Sequence, residues 1–137
     1  MSETGIVFDT EPLVAHIAAE PGAEAVEEYL DRAADGDIKG FVSPVTLTEV
    51  LYVTERTETK MSPDTFLSWF QSHVNQVKAS DCWREAARYK KEYNVALGDA
   101  YSLAAAEYVG AKLLVGADDD FDEIGDVDIV RFREDAA

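Results

Sequence analysis

A single cysteine, Cys82, occurs in the 137 residues, so no internal disulfide can form and a zinc site built on cysteines is excluded. It lies in an aromatic and charged helical stretch, where a buried or half-buried thiol is expected rather than a nucleophile. Histidine is nearly as scarce. His16 and His73 sit on separate helical stretches among apolar neighbours, without ligand spacing, and read as structural or surface residues. No apolar run approaches the roughly 18–20 residues that a bilayer requires. The opening MSETGIVFDT lacks the basic flank and long apolar stretch of a secretory leader. These absences point to the cytoplasm and away from a membrane. There is also no phosphate-cradling glycine loop, nucleophile elbow or dinucleotide fingerprint.

Basic residues are the other shortage. Twelve Lys and Arg face 28 Asp and Glu, for a formal charge of −16. Such a surface repels phosphate at low ionic strength, which at first sight argues against a nucleic-acid partner. Acidic tails come as blocks, but here the longest acidic run is Asp118-Asp119-Asp120, and the other acids are dispersed. Dispersion suggests adaptation to a cytoplasm of molar salt, where a Debye length of about 3 Å screens self-repulsion. The acidity is read as a habitat signature of a halophile.

What remains has the content of a packed domain: 47% hydrophobic and 10% aromatic residues, in a length suited to one core-bearing unit spanning 1–137. Ile6-Val7-Phe8 is a short apolar run that reads as a buried strand, ended by Asp9. Helices follow from Pro12 through Ile17 and from Glu24 to Ala34. Ile38 to Val42 reads as a second strand. Ser43-Pro44 and Ser62-Pro63 cap the third and fourth helices. Val77 to Ala79 is a brief strand, and Asp81 caps a helix to about Tyr93. Gly98-Asp99 opens a sixth helix, stopped by Gly110. Lys112 to Val115 is a strand, Asp119 to Ile124 a helical turn, and Ile129 to Phe132 a last strand. This alternation predicts a parallel sheet with helices on both faces.

In such sheets function lies beyond the carboxyl ends of the strands, near the reversal of strand order. Asp9 directly follows the first strand, and Asp118 follows the fourth. Glu49 is on the helix after the second strand, alone among Leu47, Val50, Leu51 and Tyr52. Asp99 is in the first turn of the helix leading to the fourth strand. Right-handed crossovers bring these four acids to one edge. Carboxylates packed together raise one another's pKa unless a cation offsets them. Mg²⁺ or Mn²⁺ suits oxygen ligands and leaves positions for substrate phosphate. Taken singly, each acid also has a plainer reading, as a helix cap or a solvated residue; their joint placement favours a metal site.

The motifs containing these acids resemble those of the PIN-domain family. Val7-Phe8-Asp9-Thr10 resembles its opening, and Thr48-Glu49-Val50-Leu51-Tyr52 its second motif. Leu97-Gly98-Asp99-Ala100, continuing to Gly110-Ala111, is similar to the third. Leu113 to Phe121, with Asp118-Asp119-Asp120, is similar to the fourth. The resemblance implies a three-layer α/β/α fold with a central, mostly parallel five-stranded sheet, and a metal-dependent ribonuclease acting on RNA. Small members are often VapC-type toxins, held inactive by an antitoxin and usually homodimeric. Asp9, Glu49, Asp99 and Asp118 would then be the catalytic, metal-binding acids, with Asp120 as an auxiliary acid of the metal shell. Thr10 would orient the first Asp through its hydroxyl. Two positions depart from the family pattern. Gly116 stands where Thr or Ser commonly precedes the fourth-motif Asp by two residues, which removes a hydroxyl from the site. Glu11 stands where a small polar residue is frequent, adding charge that either tightens metal binding or faces solvent.

Arg84, Arg88 and Lys91 share a helical face that could grip phosphate, or pair with Glu85 and Glu92. Arg56, on the face of Glu49, could reach a substrate phosphate. Two other readings stay open on the residues. Asp9 after a first strand also suits an aspartyl nucleophile, although Asp9-Thr10-Glu11 lacks the second Asp of the haloacid-dehalogenase pattern. Gly116 and the acidic surface fit a non-catalytic or weakly active member that binds RNA or a protein.

Overall fold

The computed structural model describes residues 5–135; the first four residues, part of the segment read for a leader, lie outside this range. The order is β1 (Gly5–Phe8), α1 (Thr10–Ala18), α2 (Ala23–Asp35), β2 (Lys39–Val42), α3 (Pro44–Thr54) and α4 (Pro63–Gln71). Then come β3 (Asn75–Gln76), α5 (Ala79–Tyr93), α6 (Leu97–Val109), β4 (Lys112–Val115), a 3₁₀ turn (Asp119–Phe121) and β5 (Ile129–Arg131).

All four strand pairings are parallel, in the spatial order β3-β2-β1-β4-β5. The expectation of a mostly parallel sheet is met by a fully parallel one. The chain runs outward from β1 in one direction through β2 and β3, then returns to β4 on the other side. The order therefore reverses between β1 and β4, and the two strand ends leave a crevice there.

Period-two alternation assigns side chains to the two faces of the sheet. Ile6, Phe8 and Leu114 point into one core with Leu13, Ile17, Val26, Leu30, Val50 and Phe70, contributed by α1 to α4. Val7, Leu113 and Val115 point into the other with Cys82, Tyr89, Leu103 and Ala105, contributed by α5 and α6. The result is the expected three-layer α/β/α arrangement. Cys82 is buried, and burial pushes its thiol pKa up.

Ser43 and Ser62 cap α3 and α4 as expected, accepting from the backbone N–H of Val45 and Thr65, each ahead of a first-turn proline. Two boundaries differ from expectation. The third strand is Asn75–Gln76 rather than Val77 to Ala79, and both its residues are exposed. An edge strand needs backbone pairing on one side only, so its apolar signal falls on the neighbours: Val74 and Val77 enter the two cores. Helix α5 begins at Ala79, placing Asp81 within its first turn, where it favours the helix dipole instead of capping.

Phe70 is fully buried and meets Phe8 edge-on, with ring centroids 5.3 Å apart at 86°. This contact ties α4 to β1, the strand that ends in Asp9. Phe70→Ala is expected to cost about 3–5 kcal/mol in urea unfolding, the range for an aromatic removed from a close-packed core.

Candidate metal centre

Helix α1 begins immediately after β1, so Asp9 occupies its N-cap position with extended backbone (φ −82°, ψ 179°). Its carboxylate is used elsewhere. The buried Ser102 hydroxyl donates to Asp9 Oδ1 at 2.8 Å. Since that proton is committed, Thr46, 3.3 Å from Ser102 and equally buried, donates to Ser102 in turn. A chain of two hydroxyls from α3 and α6 thus fixes the deepest acid. Asp9 is only 3% exposed, and each member of the chain is satisfied, as a buried polar network requires.

Glu49 projects from α3 onto the first turn of α6. A Cβ on Gly98 would overlap its carboxylate, so this approach depends on the missing side chain. The Thr10 hydroxyl donates to Glu49 Oε1 at 2.7 Å. Thr10 was expected to orient Asp9. Its hydroxyl instead positions Glu49, while Ser102 takes the role at Asp9.

Asp99 lies one turn of α6 before Ser102 and is half-buried; Asp118 and Asp120 are at the exposed rim. Asp99, Asp118 and Asp120 each offer a carboxylate oxygen, all within 4.8 Å of one another. Asp118 Oδ1 also accepts from the N–H of Asp120 at 2.9 Å, which closes the 3₁₀ turn. The pocket of about 360 Å³ is lined by Asp9, Glu49, Asp99 and Asp118, together with Glu11 and Glu20. Arg133 is the one basic residue among its described lining residues.

Burial raises the Asp9 carboxyl from 3.8 to about 6, with a contribution from the charge of Glu49. Burial also leads at Asp99, followed by repulsion from Asp9, Asp118 and Glu49, and moves it to about 8. The two share a hydrogen bond that favours a proton on Asp99, so protons are held by the pair rather than by either residue alone. A cluster of hard oxygen donors in which the Asp9–Asp99 pair keeps a proton near neutral pH fits a divalent cation, which would supply positive charge in the proton's place. Asp99, Asp118 and Asp120 have carboxylate oxygens close enough to share one cation, and Asp9 and Glu49 line the same pocket as Asp99 and Asp118.

The arginines considered for phosphate lie apart from this pocket. Arg88 is held by Glu85, Glu92, Glu107 and Asp126, tying α5 to α6 and to the loop before β5. Arg84 is exposed and stacks over Trp83. Arg56, exposed at the end of α3, donates to the Tyr52 hydroxyl at 2.8 Å. The basic residues nearest the acids come from the C-terminal segment, which sequence reasoning passed over. Arg131 donates to the carbonyls of Gly116 and Asp118 at 2.7 and 3.0 Å. Arg133 donates to Glu11 at 2.9 Å and to Glu20 at 3.1 Å. Two signals could have found the missed residues. Arg131 ends β5 and Arg133 follows it at the same two-residue spacing, and Ser102 is a polar residue one turn after Asp99 in an alanine-rich run.

A fully parallel α/β/α sheet with carboxylates gathered at its switch point defines a class of acid-lined, metal-binding α/β domain. Within that class, the PIN domain model matches residues 6–127, and the chain belongs to the PIN domain family. Ribonuclease VapC42 of Mycobacterium tuberculosis is 29% identical over 122 residues, covering 83% of this chain and 92% of that protein. The VapC ribonuclease Mb2780c of Mycobacterium bovis matches to the same extent. Among solved structures, VapBC2 from Rickettsia felis bound to a promoter DNA fragment superposes with a TM-score of 0.72 at 16% identity. That match covers 93% of this chain and 98% of the other, and it supports the fold.

Two outcomes follow from the site's geometry. Gly98→Ala should leave the metal-free fold intact or slightly stabilised, since Ala is the better helix former by about 1 kcal/mol. It should weaken Mn²⁺ binding about tenfold in calorimetry by displacing Glu49. The second outcome concerns pH. Because the folded pKa values of Asp9 and Asp99 lie above the unfolded value, the native state holds the extra protons. Their contribution to stability is full below about 3.8 and is lost as pH rises through about 6 and about 8. Melting in EDTA should therefore fall across this window, more steeply than for Asp99→Asn, while Mn²⁺ affinity rises as protons leave the site.

Proposed function

We propose that the chain is a divalent-metal-dependent endoribonuclease that hydrolyses RNA phosphodiester bonds, acting in the cytoplasm as the toxin of a toxin–antitoxin pair. The observation that carries this reading is the convergence of Asp9, Glu49, Asp99, Asp118 and Asp120 where strand order reverses, in a PIN domain. The ribonuclease names of its VapC relatives support the reaction class, and the toxin–antitoxin names of its structural neighbours support the partner.

Mg²⁺ or Mn²⁺, when bound, supplies an activated water and neutralises charge at the scissile phosphate. The protein's own contribution is placement. Asp9 is fixed from below by Ser102, Glu49 from the side by Thr10, and Asp118 at the rim by the turn it caps. The rim acids face the side from which a strand of RNA would enter. Arg56 and Arg84 are exposed and available for its phosphates, whereas Arg88 is committed to four acids.

Tyr52, Trp69, Trp83, Leu97 and Tyr108 are large side chains left at the surface. They support surfaces covered by protein, in keeping with a homodimer and an antitoxin. No described helix is long and apolar enough to cross a membrane.

Structured RNA incubated in molar KCl with Mn²⁺ should be cut by the wild-type chain, with cleavage abolished by excess EDTA. Asp9→Asn and Asp99→Asn should each lower the rate by about a hundredfold or more while retaining the fold by circular dichroism. Cleavage at the wild-type rate by either purified variant would remove this mechanism.

A further inference from the structure

The metal site has a second glutamate seated over a glycine. An ideal Cβ built on Gly116 meets nothing closer than the carboxyl atoms of Glu11, and it would overlap all three of them. The volume a side chain at 116 would fill is therefore taken by a side chain from α1. Gly116 has ordinary backbone geometry, and its lack of a side chain matters only for this space. The two departures from the family pattern, Glu11 and Gly116, are thus parts of one arrangement.

Glu11 is tied on both sides. Its Oε2 accepts from the N–H of Ala117 at 3.3 Å, next to Asp118. Arg133 donates to the same oxygen through two nitrogens, at 3.2 and 2.9 Å. The guanidinium also binds the Pro21 carbonyl and Glu20, and the Arg133 side chain is only 10% exposed. Arg131 grips the carbonyls of Gly116 and Asp118. The backbone from Gly116 to Asp118 is thereby held at three points, through the Ala117 N–H by Glu11 and through two carbonyls by Arg131.

We propose that Glu11, seated over Gly116 and locked by Arg133, is a positioning residue that sets the loop carrying Asp118 for metal binding. Resting on the metal-centre reading above, this assigns Glu11 a role through Asp118 rather than as a ligand. Arg133 has a second effect, since it pairs with two carboxylates that would otherwise add to the repulsion among the five site acids.

The test is a double-mutant cycle, read by calorimetric Mn²⁺ affinity in molar KCl and by thermal melting in EDTA. Glu11→Ala should weaken Mn²⁺ binding about tenfold, as the loss of a supporting partner does. Glu11→Gln keeps the space filled and an acceptor for Ala117, and should stay within about threefold of wild type. Gly116→Ser should also cost about tenfold, because its side chain must expel the Glu11 carboxylate; that carboxylate ends a flexible side chain, so the fold survives. Added to Glu11→Ala, Gly116→Ser should cost nothing further, and the melts should show the same non-additivity. Wild-type affinity in Glu11→Ala would overturn the proposal. So would Glu11→Gln as weak as Glu11→Ala, which would mean the charge acts directly. Equal cost of Gly116→Ser in both backgrounds would also overturn it. A wild-type chain that binds no Mn²⁺ overturns the metal reading and this role of Glu11 together, whereas additive effects with Mn²⁺ binding intact overturn the positioning role alone.

Discussion

Burial of neighbouring carboxylates, sharpened by their mutual repulsion, is the constraint on which the rest of this site depends. Asp9 is buried at the end of β1, and Asp99 is brought beside it by α6. Neither position is stable for a bare charge, so the pair retains protons near neutrality. The surroundings supply donors where they can: the hydroxyls of Ser102 and Thr10 and the N–H of Asp120. These fix where the acids point without removing the excess charge. What remains is an oxygen-lined deficit of positive charge, which supports the proposed metal site more than the acids alone would.

The acids reach one point because two glycines leave room for two glutamates. Gly98 admits Glu49 from α3, and Gly116 accommodates Glu11 from α1. Adjacent residues of α1 serve both seats, Thr10 holding Glu49 and Glu11 contacting the loop after β4. The first turn of α1 is therefore a hub between the second and fourth motifs, and β1 places it there by ending at the switch point. Packing contributes at a distance: Phe70 against Phe8 anchors the strand whose last backbone unit leads into Asp9.

The fold was legible because its signals are local. Apolar runs bounded by Asp or Gly, Ser-Pro caps and alternating faces of β1 and β4 depend on near neighbours, and the structure follows them within a residue or two. The exceptions are the start of α5, the 3₁₀ turn, which ends at Phe121 and not Ile124, and β3, a two-residue edge strand whose sequence, Asn75-Gln76, carries no apolar signal. In the site, the acids at strand ends could be read from order and spacing. Their partners could not. The choice of Thr10 for Glu49 over Asp9 depends on where α3 brings a residue 39 positions further along the chain. Arg133 meets Glu11 across most of the chain's length, a pairing that only the placement of β5 beside β4 creates.

The distribution of positive charge bears on how such a site could meet RNA. Arg88, Arg131 and Arg133 are spent on the protein's own acids and carbonyls, so few side chains remain to attract phosphate against a net charge of −16. Two sources of compensation fit the geometry. The first is the cation that the proposed site would hold, which would be the largest local charge at the point where the phosphate would sit. The second is solvent salt: with a Debye length of about 3 Å at 1 M, the dispersed surface acids are screened from a phosphate lying a residue's width away. Acids within the pocket are desolvated and closer together, so the same salt screens them far less. Molar salt would thus weaken the repulsion of substrate by the surface while leaving the attraction of the metal by the site nearly intact.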